Sequence, residues 1–596
     1  MKPGTTGIFA SIVALSLLST AQSASAQDQH SFISLVSKSH HVPFESESLG
    51  RRVRNFVLPD TAGKATGLSE FRDSRFLVVV FMGTQCPIGN AYVPDLNKLQ
   101  KEFADKDVQV IGINPNLADS LEEVAKHKRE YQIQFPVFKD AEQLTVDLFG
   151  ARRTPEVFVL DRRRTIRYHG RIDDRIGYDY KRAKANRDDL IEAVKELVSK
   201  KEVSVKATKP LGCLITRKSS LKKKGTVTYT QQVSRIFEQR CNNCHHKGTA
   251  APFSLTTYEE ARQWTEMIKE VVTEQRMPPW DADKRFGKFS NDLRMTPEQI
   301  QTLVAWIDDG APYGDKKDLP EPKQYVEGWT IPKPDKIFEM PKEYVVQANG
   351  VVEYKYFVTP TNFEEDKWIQ AAEARPGNHA VVHHIIGYIV PKGERLDARG
   401  PAIAGYAPGE EPMVYPQGMG IKVPAGSNIV WQVHYTPTGK VEKDRSQIGI
   451  VFCDNPPKRP VYQEGIFQTR FMIPPKAENH RVRKTRKIDR DVELISLMPH
   501  MHLRGKSFKY VAHIPNQDSK ILLDVPDYDF NWQHRYRFEK PVFLPKGTTI
   551  ECIAHFDNSK ENPANPDPSK TVYWGDQTFE EMMIGYFNYV GVEKSN

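Results

Sequence analysis

In "FLVVVFMGTQCPIGN", residues 76–90, an unbroken apolar run (Phe76–Met82) leads into a cysteine and a proline. A strand with one wet face alternates apolar and polar residues, so an unbroken run predicts a strand buried on both faces, as in a sheet covered by helices on each side. Cys86 stands where that strand ends and a helical pattern begins, "AYVPDLNKLQKEFADK". A thiol at a helix N-terminus is more acidic and more nucleophilic than a free one. Strand and helix patterns go on alternating: "VQVIGINPN", "SLEEVAKHKREY", "EVFVLDR", "TIRYHGRI" and "RDDLIEAVKELVSKK". Residues 48–205 therefore read as one α/β domain.

Thr154-Pro155, in "RRTPEVFVLD", comes just before a strand. With Cys86 it makes 48–205 resemble the redoxin/thioredoxin superfamily, in which a proline at that place faces the active thiol. The departures are specific. Gly89 stands where a CxxC motif has its second cysteine, Asn90 where a CxxxC would, and Gly83 where a peroxiredoxin has threonine. Cys86 thus lacks a local partner, and Cys213 is the nearby candidate. The alternative is a redoxin scaffold kept for docking.

The chain has 596 residues and predicts several domains. Its apolar content of 39%, with 10% aromatics, is that of globular protein. The formal charge of +8 is small for the length. The basic runs at 217–225 and 481–487 read as solvated linker or loop, and no nucleic-acid motif accompanies them. Residues 1–26 have the pattern of a cleaved secretory signal: Lys2, the apolar stretch Ile8–Leu18, then Ala24-Ser25-Ala26. No later run is long enough to span a membrane. The expectation is a periplasmic or secreted protein, not integral to the membrane, in a compartment that permits disulfides and covalent haem.

Residues 206–225 read as a linker and 226–316 as a mostly helical segment containing "QRCNNCHHKG" (239–248). Cys241-Asn-Asn-Cys244-His245 is the c-type haem attachment pattern: two thioethers fix the macrocycle and the next imidazole reaches the iron. Met277, in "RMPPW", is the expected second axial ligand, with Met267 and Met295 as alternatives. Zinc would need two more ligands, and there is no second cysteine pair. A redox dithiol would follow a strand, whereas this pair follows the helical "YTQQVSRIFEQR". The segment resembles the small class-I-like cytochrome c domains of bacteria, which implies one covalent haem c in an all-α domain. Residues 317–329 read as a second linker, and the charged, proline-rich 314–328 as a semi-stiff spacer.

From about 330 the pattern is short alternating strands between Pro, Gly and Asn turns, which predicts β-sandwiches. Histidines recur there: His383 and His384, His434, then His500 and His502. His500 and His502 share one face of a strand and could grip a single metal. A thioether from Met582, or its neighbour Met583, would soften that site towards Cu(I). Adjacent His383 and His384 can share a metal only at a bend or through different ring nitrogens, with His434 as third ligand.

An HH pair, a "VHY" strand, an HxH pair and an E-M before the last strand come in the order found in the copper type II, ascorbate-dependent monooxygenases. That is the family of the peptidylglycine α-hydroxylating and dopamine β-monooxygenases, which residues 330–594 resemble. The resemblance implies two jelly-roll-like β-sandwiches, 330–460 and 461–594, with a cleft between them. It implies two copper ions: one for electron transfer on His383, His384 and His434, and one where dioxygen reacts on His500, His502 and Met582. It also implies ascorbate as external reductant. Met498 and Ile584 replace the family's peptide-carboxylate residues, so a peptide substrate is not implied. Tyr586 matches a pocket tyrosine, with core packing as its other reading. The family's dense disulfides are missing; Cys453 and Cys552 either pair or stay free, and His555 has a hydrogen-bonding role.

Together these readings predict an exported copper- and haem-dependent monooxygenase acting on a small organic molecule and O2. The haem would pass electrons, from a periplasmic donor, to the three-histidine copper. The alternatives are an electron-transfer or copper-handling protein without hydroxylase activity, and a thiol–disulfide oxidoreductase or peroxidase centred on Cys86.

Overall fold

The structure, a computed structural model, describes residues 44–592 except 179, 219, 221–224, 326–327 and 397–399. The signal sequence expected at 1–26 lies outside the described residues. No helix among the described residues is long and apolar enough to cross a membrane.

The N-terminal domain is built on a five-stranded sheet in the order Val137–Lys139, Val108–Asn114, Phe76–Phe81, Glu156–Leu160, Ile166–Gly170. The first three strands are parallel and the last two antiparallel to their neighbours. Phe76–Phe81 is the central strand and all of it is buried. Successive side chains of a strand point to opposite faces. Val78 and Val80 accordingly join a core with Leu96, Leu99 and Val194, while Leu77, Val79 and Phe81 join another with Phe149 and Phe158.

The segment after it carries four α-helices, Ser234–Arg240, Tyr258–Arg262, Thr265–Thr273 and Pro297–Asp308, around Phe237, Leu303 and Trp306. Thr257 and Thr296 start the second and fourth through capping boxes, each hydroxyl accepting an orphan N–H of its first turn. The stretches Cys241–Thr257 and Glu274–Thr296 carry no helix. Nor is the segment a self-contained all-α unit. Trp280, Ala282 and Phe289 leave it and pack in the core of the C-terminal β region, where the backbone of Phe289 bridges that of Phe538.

The C-terminal half is β-rich. In place of two separate sandwiches, a single nine-stranded sheet runs through both expected domains, from Lys336–Glu339 to Tyr536–Leu544. The halves join where Met419–Val423 pairs in parallel with Arg459–Phe467. A four-stranded sheet packs on each half. One contains Val382–Val390 and Asn428–Tyr435, the other Gly505–His513 and Thr549–Phe556.

Most of the described residues of 314–328 are exposed, and towards the end of the stretch Tyr325 stacks on His246 at 4.3 Å and Lys323 Nζ donates to Asn243 Oδ1 at 3.1 Å. Cys453 and Cys552 are both free, Cys552 fully buried in the core of the second half and Cys453 beside the Met419 carbonyl of the first.

Candidate metal centres and thiol pair

His384 and His434 face each other across paired strands, and His383 joins them because the register between Val382–Val390 and Asn428–Tyr435 shifts between Val382 and His384. That irregularity supplies the bend which adjacent histidines need to face one point. The ligand atoms of the three rings lie within 4.8 Å of one another. His383 Nδ1 and His384 Nδ1 are 3.3 Å apart, and His434 Nδ1 is buried without a hydrogen-bond partner. Burial disfavours imidazolium, pushing His383 down to about 4 and His384 and His434 well below the usual value. Neutral rings with a free nitrogen are the metal-binding form.

The second cluster is held differently. His500 ends the strand Val492–His500, and its Nδ1 donates to Gln533 Oε1 at 2.7 Å. His502 Nδ1 donates to the Glu580 carbonyl at 3.2 Å, while its Nε2 is buried and unpartnered. The Glu581 carboxylate accepts the backbone N–H groups of His502 (2.9 Å) and Arg504 (2.6 Å). In both rings Nδ1 is engaged and Nε2 is left for a ligand, the arrangement of a metal-bound histidine buttressed by a further hydrogen bond. Burial holds His500 at about 4 and His502 at about 3. Met583 is fully buried in the hydrophobic core. Met582, next to Glu581 in the chain, is half-buried.

The clusters share two aromatic neighbours. Tyr354 lies 5.0 Å from His434 and 6.3 Å from His502, ring to ring. Phe530 lies 6.2 Å and 6.1 Å from the same two. Neither ring, nor Gln533, has a signal in sequence, because each comes from a loop or strand edge remote from the histidines it meets. Tyr586, 6.4 Å from His500, is half-buried and partnered by Tyr388. His555 Nδ1 pairs with the Ser507 hydroxyl at 3.1 Å.

In the helical segment, His245 Nδ1 lies 3.1 Å from the Phe253 carbonyl, leaving Nε2 free. Burial pushes the Cys241 thiol up to about 12; burial and then the Glu411 carboxylate push Cys244 up as well. Met267 and Met295 pack on the helical core. Met277 is half-buried in the loop beyond Thr265–Thr273. Three residues on, Trp280 meets His534 at 5.7 Å, and His534 adjoins Gln533, the partner of His500.

Cys86 caps the short helix Pro87–Ala91, accepting the Gly89 N–H at 3.4 Å and donating to the Thr154 carbonyl at 2.8 Å. The linker returns here: Cys213–Leu214 pairs antiparallel with Arg153–Thr154, Cys213 opposite Thr154. A hydrogen bond from the Cys213 thiol, with the Gly89 N–H, outweighs burial and lowers Cys86 to about 7; the same contact raises Cys213.

Residues 49–169 match the family model described as the AhpC/TSA family. The thiol-disulfide oxidoreductase ResA of Halalkalibacterium halodurans is 28% identical over 112 residues, 19% of this chain and 62% of its own. ResA of Bacillus subtilis is 28% identical over 117 residues, 20% of this chain and 64% of its own. The chain thus spans a little under two thirds of the length of these relatives. Among solved structures, a hypothetical protein from Sinorhizobium meliloti is 34% identical, with 97% of it and 29% of this chain covered and a TM-score of 0.28. Residues 49–169 are a thioredoxin-like domain of the AhpC/TSA type, similar in sequence to thiol–disulfide oxidoreductases.

Proposed function

We propose that the chain is an exported, copper- and haem-dependent monooxygenase that hydroxylates a small organic molecule with O2. The observation that carries this reading is the pair of buried histidine clusters, three and two rings, joined through Tyr354 and Phe530. The unpartnered buried nitrogens His434 Nδ1 and His502 Nε2 fit a metal, since a buried polar atom without a partner is costly. Imidazoles with a thioether suit copper. The cysteine pair with His245 fits a covalent haem, its Nδ1 being engaged by a carbonyl. When bound, copper would supply oxygen activation and the haem one-electron transfer. Gln533 and the Glu580 carbonyl fix the ring orientations of the two-histidine site, Glu581 anchors the backbone of His502, and Met582 would offer the soft ligand.

Contacts also suggest the wiring. Trp280, three residues beyond Met277, meets His534, whose chain neighbour Gln533 holds His500, which favours the two-histidine site, not the three-histidine site, as the nearer end of the path. The similarity of residues 49–169 favours a second activity on the same chain, thiol–disulfide exchange at Cys86.

The test is anaerobic reduction of the copper-loaded protein, then isotopically labelled O2 with a pool of periplasmic metabolites. Substrate-dependent oxygen uptake with one labelled atom in a product is expected, and its loss in His502→Ala. Copper binding without such uptake would favour the copper-handling alternative.

A further inference from the structure

Nothing in the first domain's own sequence gives Cys86 a sulfur partner, yet the linker brings one. The approach depends on Gly212, at φ +151°: a Cβ there would lie 2.1 Å from the Thr154 carbonyl oxygen and 2.9 Å from Pro155 Cδ. No other residue fits without displacing backbone. The Gly212 carbonyl accepts the Arg153 guanidinium and the Tyr178 hydroxyl, both at 2.8 Å. Arg153 also pairs with Glu270 of helix Thr265–Thr273, and Cys213 packs on the helical core. The turn that presents Cys213 is therefore fixed from three sides. Cys86 itself is 1% exposed, while Cys213 is half-buried.

We propose that Cys86 and Cys213 form a redox-active dithiol–disulfide pair, with the linker cysteine supplying the second sulfur and a small-molecule disulfide as the oxidant. This rests on thiol–disulfide chemistry at Cys86 and adds the partner and the substrate class. An external disulfide RSSR meets Cys213, the more open sulfur. A bond forms between Cys213 Sγ and one RS group, and the other leaves as RSH with the Cys213 proton. The Cys86 thiolate, its proton already released to solvent, then attacks Cys213 Sγ, and the second RS group leaves and takes a proton from solvent as RSH. One disulfide is reduced to two thiols and one internal disulfide forms. Exchange of this kind proceeds by thiolate attack on sulfur, and the pairing of Cys213 with Thr154, whose carbonyl Cys86 Sγ meets at 2.8 Å, brings the two cysteines together.

The geometry offers a rescue. A Cβ at Gly89 would stand 3.6 Å from Cys86 Cβ, in ordinary contact with its surroundings. That separation lies within the range of a disulfide. Gly89→Cys should then restore a local pair where Cys213 has been removed.

The experiment uses the full-length protein with its cofactors, oxidised with hydroxyethyl disulfide, quenched in acid and mapped by peptide mass spectrometry. A linked Cys86–Cys213 peptide and the loss of two titratable thiols are expected. The reduced protein should alkylate Cys86 with a midpoint near pH 7, the rate rising with pH as thiolate forms. In Cys213→Ser that midpoint should move up towards the ordinary thiol range, with no internal disulfide. Adding Gly89→Cys to Cys213→Ser should bring one back. Both thiols still free after oxidation would overturn the proposal. A stable mixed disulfide on Cys86, without the linked peptide, would overturn it too, while leaving thiol–disulfide chemistry at Cys86 intact. The wild-type thiol count decides the matter even if a variant fails to fold.

Discussion

The two histidine clusters are built by opposite means. His383, His384 and His434 are set by strand register, with one irregularity in the pairing bringing the third ring round. His500 and His502 are set by polar partners from loops, Gln533, Glu580 and Glu581. A site held by a sheet inherits its geometry from hydrophobic packing and is as robust as that packing. A site held by hydrogen bonds can be retuned by one polar substitution without disturbing the fold.

The largest expected effect follows from the first mode. Trp431 is fully buried in the strand that carries His434, its indole donating to Thr359 Oγ1 at 3.0 Å. Trp431→Ala should cost about 3–5 kcal/mol of stability, read as a lower urea midpoint, and should empty the three-histidine site first. Equal loss of metal from both sites would mean that the two halves of the nine-stranded sheet do not act separately.

The second mode predicts a smaller, confined effect. Gln533→Leu keeps the volume but leaves His500 Nδ1 unpartnered. Copper affinity at the two-histidine site should fall about 10–100-fold, measured by competition with a Cu(I) chelator, with the three-histidine site unchanged. An unchanged affinity at both sites would show that His500 is oriented by its strand alone.

What sequence could tell divides along the same line. The buried strand Phe76–Phe81, the cysteine at its end and the five histidines were readable because each depends on a local pattern: an apolar run, a motif, an i, i+2 spacing. Gln533, Tyr354 and Phe530 were not, since their roles arise only when distant loops meet. Trp280 stands in the sequence of the expected haem-ligand loop, yet its side chain belongs to the core of the β region. The stacking of Tyr325 on His246 left no signal either, because the charge and proline of 314–328 describe only solvation and stiffness. Cys213 was identified as the nearby candidate partner, but only the pairing with Arg153–Thr154 brings it to Cys86. The single sheet through both β domains could not be foreseen, because parallel pairing between distant strands leaves no local trace.

The most direct test is the metal and haem content of the protein exported with copper and haem supplied, compared with His434→Ala and His500→Ala. One covalent haem and two coppers per chain are expected, each variant losing one copper and keeping the haem. Zinc in both clusters, a copper content unaffected by either substitution, or cysteines 241 and 244 found as free thiols would contradict the assignment of these sites.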